Sequence, residues 1–328
     1  MPLLTRLTKL QIDQIVHDHY NLGSVKAVYK IKNGWTNTLF KITTTHGDFF
    51  LKVYEETDRM QVIAEHEVVN FLVKLKFPTA NIIKTKNKEG LVDFEDKFIS
   101  VFTALKGKPL TANPFKTVVG YRVISILNVL HKIPTQDFIY LRKKNLAETI
   151  EDNLSWYLND HRMNHFRDDL LNLYEQFSDV SFFNLTKGVI HNDLGTDNFL
   201  VVGNNVTGLI DFDQVAYGNI VDDLTKFFAK SVNLNNYDVQ DFVSDIIRFL
   251  TEYSKKSKLS KEDINAVVPL LVFHKVLTLI KVKQNIRQES IRAHIYNFEE
   301  YASLIEKELE ILFKHFIYMQ AEFNHHLN

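Results

Sequence analysis

The spacing of apolar residues changes character along this chain of 328 residues. The first part of the chain, up to residue 104, carries short runs in which apolar and polar residues alternate, as expected for strands with one buried face. The Asn33-Gly34 and Gly47-Asp48 pairs between these runs favour hairpin turns, because glycine tolerates positive φ. The runs predict strands over residues 24–31, 38–42, 48–54, 90–94 and 97–102.

Helical spacing occurs twice in the first part and then dominates. Thr8 and Gln11 match the capping-box spacing at the start of a short N-terminal helix, and a second helix is predicted over residues 58–76, before Pro78. Pro269 is expected to kink or break its helix. The remaining helices are predicted over residues 114–132, 145–160, 164–178, 237–253, 261–286 and 296–322.

The order of these elements predicts an α+β protein with two lobes, a mostly antiparallel sheet with one main helix followed by a larger helical lobe. The segment 105–109 is typical of a linker, so we expect domains over residues 1–104 and 105–328. A short β-rich stretch, residues 188–213, interrupts the helical lobe.

Composition narrows the class of protein. Apolar residues make up 45% and charged residues 24%, which excludes wholesale disorder. The net charge of −1 gives no indication of nucleic-acid binding. Cysteine is absent, which excludes disulfides and thiolate chemistry and fits a reducing compartment. With no signal-peptide pattern and no long uninterrupted apolar run, we expect a cytoplasmic protein without a membrane partner.

The segment 188–213 carries the most informative motif, H-x-D-x-x-x-x-N followed by a hairpin and Ile-Asp-Phe. His191, Asp193, Asn198 and Asp211 supply its polar positions. An aspartate beside a substrate hydroxyl can orient it and accept its proton. An asparagine amide oxygen and a second aspartate suit Mg²⁺ that bridges nucleotide phosphates. The pattern therefore indicates phosphoryl transfer.

Upstream residues complete a nucleotide site in the expected order. Lys52 lies in an apolar strand, where a single lysine can face phosphates. Glu65 on the following helix can pair with it; Glu67 is the alternative, and the spacing favours Glu65. The first hairpin offers backbone N–H groups to phosphate oxygens. Its candidate residues are Gly34, Thr36 and Asn37.

From about residue 28 to 228 these motifs resemble the aminoglycoside phosphotransferase–choline kinase superfamily, whose two-lobe fold is similar to that of protein kinases. The resemblance implies a small-molecule kinase that uses ATP and Mg²⁺, with Asp193 as catalytic base and Asn198 and Asp211 as metal ligands. It implies that the first hairpin, Lys52 and Glu65 hold the nucleotide. It places Phe102, Thr103 and Ala104 in the adenine-binding hinge.

The chain departs from the usual family pattern at Asn192, where glycine is common; His-Asn-Asp is similar to choline and ethanolamine kinases. Family acceptors include aminoglycosides, choline, ethanolamine, homoserine, thioribose sugars and thiamine, and the sequence does not choose among them. Acidic residues on the later helices would suit a cationic acceptor. They are Glu151, Asp152, Asp168, Asp169, Glu299 and Glu300.

Two alternatives remain open. A protein kinase is disfavoured, because the nucleotide loop has one glycine and the segment between Asp211 and the Asp222-Asp223 pair is short. A non-catalytic binding or structural protein could keep the same fold, but it commonly loses at least one residue of the set. His191 is expected to support its loop, and Asp222 and Asp223 to cap the next helix or brace the catalytic loop.

Overall fold

The computed structural model describes residues 5–31, 36–111, 113–115, 117–287 and 297–327. The chain divides into two compact units. Unit 1 contains residues 1–109, 136–142 and 198–215, and unit 2 contains residues 110–135, 143–197 and 216–328. The boundary between residues 104 and 105 stays a prediction.

Unit 1 is built on a five-stranded antiparallel sheet in the order β1-β2-β3-β5-β4. A second sheet of three strands has the order β6-β8-β9. The strands are β1 Val25–Lys30, β2 Thr38–Thr44, β3 Gly47–Tyr54, β4 Val92–Phe94, β5 Lys97–Thr103, β6 Lys108–Pro109, β8 Phe199–Val202 and β9 Asn205–Leu209.

Two helices of unit 1 begin at side-chain caps. Helix α1 (Lys9–His19) starts with the predicted capping box, in which Thr8 and Gln11 satisfy each other's backbone N–H groups. Helix α2 (Arg59–Lys74) starts at Asp58, whose carboxylate accepts two backbone N–H bonds. The α2 positions 65, 69 and 72 are buried together, so the helix presents Glu65 on its apolar face.

Unit 2 is mostly helical, with a short antiparallel pair of strands, β7 (Lys187–Ile190) and β10 (Ala216–Asn219). Gly188 is required in β7, because a Cβ there would lie 2.3 Å from the His131 carbonyl oxygen. A group of phenylalanines, at positions 115, 227, 228, 242 and 249, packs in its core with several edge-to-face ring contacts. The helices are α3 Val118–Leu130, α4 Leu146–Leu158, α5 Arg167–Ser178, α6 Ile220–Ser231, α7 Val239–Ser254, α8 Lys261–Arg287, α9 Phe298–Lys314 and α10 Phe316–Leu327.

Several predicted boundaries are wrong in detail. Segment 105–109 is not wholly a linker, since β6 pairs with β8. Helix α8 is not broken at Pro269, whose neighbours on both sides are buried and support the helix. The helix predicted over residues 296–322 is interrupted at His315, with buried apolar residues continuing on both sides. Position 296 lies outside the described residues.

Helix α8 is long and apolar enough to cross a membrane by length and composition alone. Most of that stretch is buried inside the protein, as in the core helix of a globular fold. Its apolar character therefore follows from packing within unit 2.

Candidate active site

Lys52 lies at the centre of the unit 1 sheet, on β3, opposite Leu39 of β2 and Ser100 of β5. Its side chain is almost fully buried, with 6% exposed. The Nζ atom also lies 4.9 Å from the centre of the Tyr54 ring. Because a buried lysine requires compensating charge, its neighbours define the site.

Glu65 of α2 is the first of these neighbours. Its Oε1 lies 3.4 Å from Lys52 Nζ, and its Oε2 accepts a 2.8 Å hydrogen bond from the Tyr54 hydroxyl. Glu65, rather than Glu67, therefore faces the lysine. The tyrosine and the lysine together fix both carboxylate oxygens.

Asp211 and Asp213 follow β9 and approach the same lysine. Their carboxylate oxygens lie 2.8 and 3.7 Å from Lys52 Nζ. Asp211 adopts a left-handed φ of 69°, a conformation that aspartate tolerates better than most residues. The two carboxylates differ in environment, since the Asp211 side chain is 44% exposed and Asp213 is 3% exposed. Asp213, the last residue of the segment 188–213, has no role in the sequence motif.

Asn37 connects the first hairpin to this cluster. Its Nδ2 donates a 2.6 Å hydrogen bond to Asp213, and its Oδ1 accepts from the Glu55 backbone N–H. Thr36 precedes it on an exposed bend. Gly34, the third residue predicted at this hairpin, lies outside the described residues.

Asn198 and Asp211 flank the open end of the β8–β9 hairpin. Phe199 pairs with Leu209 at that end, and the Ile210 N–H donates to the Asn198 carbonyl at 3.0 Å. The hairpin thus brings the two predicted metal ligands to the same end of two paired strands.

The positive and negative charges in the Lys52 cluster do not balance. Burial alone would lower the pKa of Lys52, but Asp211, Asp213 and Glu65 hold it well above its usual value. Burial raises the pKa of Glu65, partly opposed by Lys52. Three carboxylates face one ammonium, so the cluster has negative charge in excess, which suits a divalent cation bound through carboxylate oxygen.

The donor set fits a metal that completes its coordination with phosphate and water. In the described part of the chain, no group of three or more histidine or acidic side chains is arranged to hold a metal unaided. Mg²⁺ is commonly bound by only one or two protein carboxylates together with substrate phosphates. Asp211 provides one such carboxylate, and Asn198 lies at the same end of the hairpin.

The predicted hinge residues lie at the end of β5. Phe102 pairs with Phe50 of β3 and forms a bridge with Ile82. Ala104 follows the strand, and its N–H donates to the Asp48 carbonyl at 3.3 Å. This N–H is thus engaged within unit 1.

Asp193 lies in unit 2, on the loop after β7. The two preceding backbone N–H groups, of His191 and Asn192, each donate a 2.8 Å hydrogen bond to the buried Asp223. Asp223 also lies 3.2 Å from His131, which in turn contacts the Tyr253 hydroxyl at 2.7 Å. Asp223 therefore braces the loop from the first turn of α6.

A lysine lies directly against the predicted base. Lys230 of α6 places its Nζ 2.7 Å from Asp193 Oδ1, and both side chains are partly exposed. Lys281 of α8 is close enough for its charge to interact with both. Sequence reasoning missed these lysines, since a helix lysine is usually a solvated charge.

The six acidic residues considered for a cationic acceptor lie mainly on helix surfaces. Five are exposed and Asp169 is half-buried. Two pairs occupy the first turns of α5 and α9, where negative charge is favoured by the helix dipole. The positions of these two pairs are explained without a ligand.

The predicted site residues thus fall into two groups. Unit 1 gathers Lys52, Glu65 and Asp211 within hydrogen-bond or ion-pair distance, with Asp213 added. Unit 2 carries Asp193 on a loop held by buried hydrogen bonds.

Comparisons with known proteins agree on family and fold. A homoserine kinase from Methylobacillus flagellatus is 24% identical over 251 residues, which cover 74% of this chain and 75% of that protein. The structure of a spectinomycin phosphotransferase in complex with ADP and spectinomycin superposes with a TM-score of 0.69 at 12% identity, covering 94% of this chain and 98% of that one. A choline/ethanolamine kinase family protein from Mesorhizobium loti gives 0.66 at 14% identity, covering 91% and 92%.

These structural likenesses confirm the α+β, protein-kinase-like fold class. The model of the phosphotransferase enzyme family matches residues 28–252, which include the H-x-D-x-x-x-x-N motif, the β3 lysine and the α6 aspartates. The chain therefore belongs to the phosphotransferase enzyme family, as its motifs predicted.

Proposed function

We propose that this protein is an ATP- and Mg²⁺-dependent kinase that transfers the γ-phosphate to a hydroxyl group of a small molecule. The observation that carries the proposal is the Lys52 cluster, a buried ammonium facing Glu65 and Asp211. A buried ion cluster contributes little net stability, so binding a charged ligand explains why it is kept.

Each residue has a role that follows from its chemistry. Lys52, oriented by Glu65, binds nucleotide phosphate oxygens, and Asn37 and Thr36 belong to the hairpin that covers them. Asn198 and Asp211 hold Mg²⁺, which neutralises charge on the phosphates. Phe102 and Ala104 belong to the adenine hinge.

Asp193 is the catalytic base in this proposal. It accepts a hydrogen bond from the acceptor hydroxyl, aims the oxygen lone pair at phosphorus and takes the proton as the new bond forms. The backbone bonds to Asp223 hold the loop in place, so little reorganisation is needed on binding.

Homoserine is the acceptor suggested by the likeness to the homoserine kinase from Methylobacillus flagellatus. The lysine beside the base supports an acceptor that carries a carboxylate, since Lys230 could leave Asp193 for an acceptor anion. Choline and aminoglycosides lack such a group. Homoserine offers both a hydroxyl and a carboxylate.

The alternative is a protein that keeps the fold for binding alone. Retention of Lys52, Asp193, Asn198 and Asp211 favours catalysis. The two are distinguished by turnover, since a binding protein would respond to Mg-ATP in a melting experiment but transfer no phosphate.

The test is an ATP-turnover assay with Mg²⁺ and L-homoserine, choline, ethanolamine, an aminoglycoside and a sugar as separate acceptors. Asp193→Asn should lower kcat by about 10²- to 10⁴-fold while Mg-ATP still raises the melting temperature. Asp179→Asn, at an exposed aspartate of unit 2, is the matched control. Equal transfer by wild type and Asp193→Asn would refute the assignment of the base.

A further inference from the structure

Asn192, directly before the proposed base, has an unusual backbone. Its φ is +66°, in the left-handed region that a residue with a Cβ enters at a cost. Asparagine enters it more readily than most residues, and glycine enters it freely. Asn192 accordingly stands where relatives that the motif resembles commonly have glycine.

Two lysines hold the Asn192 side chain. Lys144 Nζ donates to Asn192 Oδ1 at 2.9 Å. Lys226 Nζ donates to the same oxygen at 2.5 Å and to the Asn192 carbonyl oxygen at 3.1 Å. Three charge-assisted hydrogen bonds thus converge on one residue of the loop.

The lysines are themselves fixed by a buried aspartate. Asp222, with no exposed side-chain surface, lies 2.7 Å from Lys144 and 3.0 Å from Lys226. His274 of α8 also contacts Asp222, at 3.0 Å. The Lys144 backbone N–H donates to the Tyr217 carbonyl of β10, which anchors the lysine at both ends.

We propose that Lys144 and Lys226 are positioning residues that act through Asn192. By holding the side chain and the carbonyl oxygen of Asn192, the two lysines keep the backbone left-handed at residue 192. This backbone conformation sets the direction of the Asp193 side chain. This inference rests on the proposed function, because it requires Asp193 to be the base. Neither lysine has to touch the nucleotide or the acceptor.

The arrangement also explains the departure from glycine. Glycine would allow positive φ but would equally allow other conformations, since it has no side chain to hold. Asn192 combines tolerance of the left-handed region with an amide oxygen that two ammonium groups can bind. The loop is therefore held in this conformation before substrates bind, whereas glycine would only allow the conformation.

The test measures kcat and KM for ATP and for the acceptor that wild type phosphorylates. Lys144→Met and Asn192→Ala should each lower kcat about 10- to 100-fold with KM for ATP unchanged, since misplacing a reacting group by about 1 Å can cost that much. Lys144→Gln, which can still donate, should recover part of the loss. Lys258→Met, at an exposed lysine of unit 2, is the matched control.

A double-variant experiment separates positioning from general destabilisation. If Lys144 acts through the Asn192 side chain, Lys144→Met should cost little more in an Asn192→Gly background, where that side chain is gone. In an Asp193→Asn background it should cost nothing further. A loss that is the same in all three backgrounds would overturn the inference.

The outcomes also separate this inference from the proposed function. Absence of transfer by wild type, or full activity of Asp193→Asn, would refute the proposed function. Wild-type transfer that depends on Asp193, combined with full activity of both Lys144→Met and Asn192→Ala, would refute the positioning role alone. Asn192→Ala removes no buried charge, so it provides the test if Lys144→Met fails to fold.

Discussion

Replacing Lys52 by methionine tests whether the charge of this lysine holds the carboxylates around it. Methionine has similar length and no charge, so packing in β3 is largely retained. The variant removes the cation that faces Glu65 and Asp213, whose side chains are each 3% exposed. Asp211, which is 44% exposed, is screened by water and contributes less to the loss of stability.

The expected loss follows from what a buried carboxylate does without its cation. It takes up a proton, because burial disfavours the charged form. Protonating a carboxyl group with the reference pKa of 4.5 costs about 1.36 kcal/mol per pH unit above that value. Because burial already raises the pKa of Glu65 beside Lys52, losing the cation costs at most about 3 kcal/mol for this group at pH 7 and at most about 1 kcal/mol at pH 5.5. The destabilisation by Lys52→Met should therefore shrink as the pH falls.

Urea unfolding of nucleotide-free protein, followed by circular dichroism at pH 7 and pH 5.5, measures this loss. Lys41→Met is the matched control, because Lys41 of β2 pairs with Asp48 across the strands at 3.0 Å while both side chains remain 40–42% exposed. An exposed pair of this kind contributes about 0 to 1 kcal/mol. Adding Glu65→Gln to Lys52→Met should restore part of the stability. A loss equal at both pH values, or no larger than the control's, would contradict the reasoning.

Two further predictions concern unit 2. Lys230→Met should raise KM at least about tenfold for a carboxylate-bearing acceptor such as homoserine and much less for 3-aminopropan-1-ol, its carboxylate-free analogue, in steady-state kinetics; equal effects would remove Lys230 from acceptor recognition. Burial lowers the pKa of His274 to about 4, against the attraction of Asp222. Between pH 6.5 and 4 the unfolded state therefore binds a proton that the folded state does not, so the free energy of unfolding decreases as the pH is lowered through that range. His274→Gln should make the fall in unfolding free energy between pH 7 and 5 smaller by about 2 kcal/mol, whereas exposed His19→Gln should leave it unchanged.

Local patterns predict the unit 1 sheet well. The alternating runs place each of its five strands within a few residues of the observed bounds, because alternation directly reports one buried face. The capping box at Thr8 is similarly local, since both partners lie within one turn. Where structure depends on neighbours in sequence, the residues alone are sufficient.

Long-range pairing is what the sequence does not reveal. Strand β6 pairs with β8, joining Lys108 to Val201 across more than ninety positions, so the β8–β9 hairpin belongs to unit 1. Only two residues of β6 take part, which is too short for a periodic pattern. The linker interpretation of residues 105–109 followed from that brevity.

The lysines of unit 2 were invisible for a different reason. Lys144 and Lys226 lie 82 positions apart (226 minus 144), and each looks like an ordinary surface charge in its own segment. Their meeting on Asn192 depends on how β10 and α6 pack beside the loop. The positive φ at Asn192 was similarly hidden, although the missing glycine marked the position as unusual.

The two units use buried charge in the same way, and stability does not explain it. Glu65 in unit 1 and Asp222 in unit 2 are almost fully buried, and each faces lysine. Burying ions costs more than packing apolar side chains of similar volume, so such pairs are weak contributors to folding. These ion pairs instead fix the position of the lysine side chain, because an ammonium group held by two or three oxygens keeps one orientation. Fixed orientation is what in-line phosphoryl transfer requires of the groups that hold the phosphates and the attacking hydroxyl. In the proposed mechanism, these buried carboxylates anchor the lysines that bind or position the reacting groups.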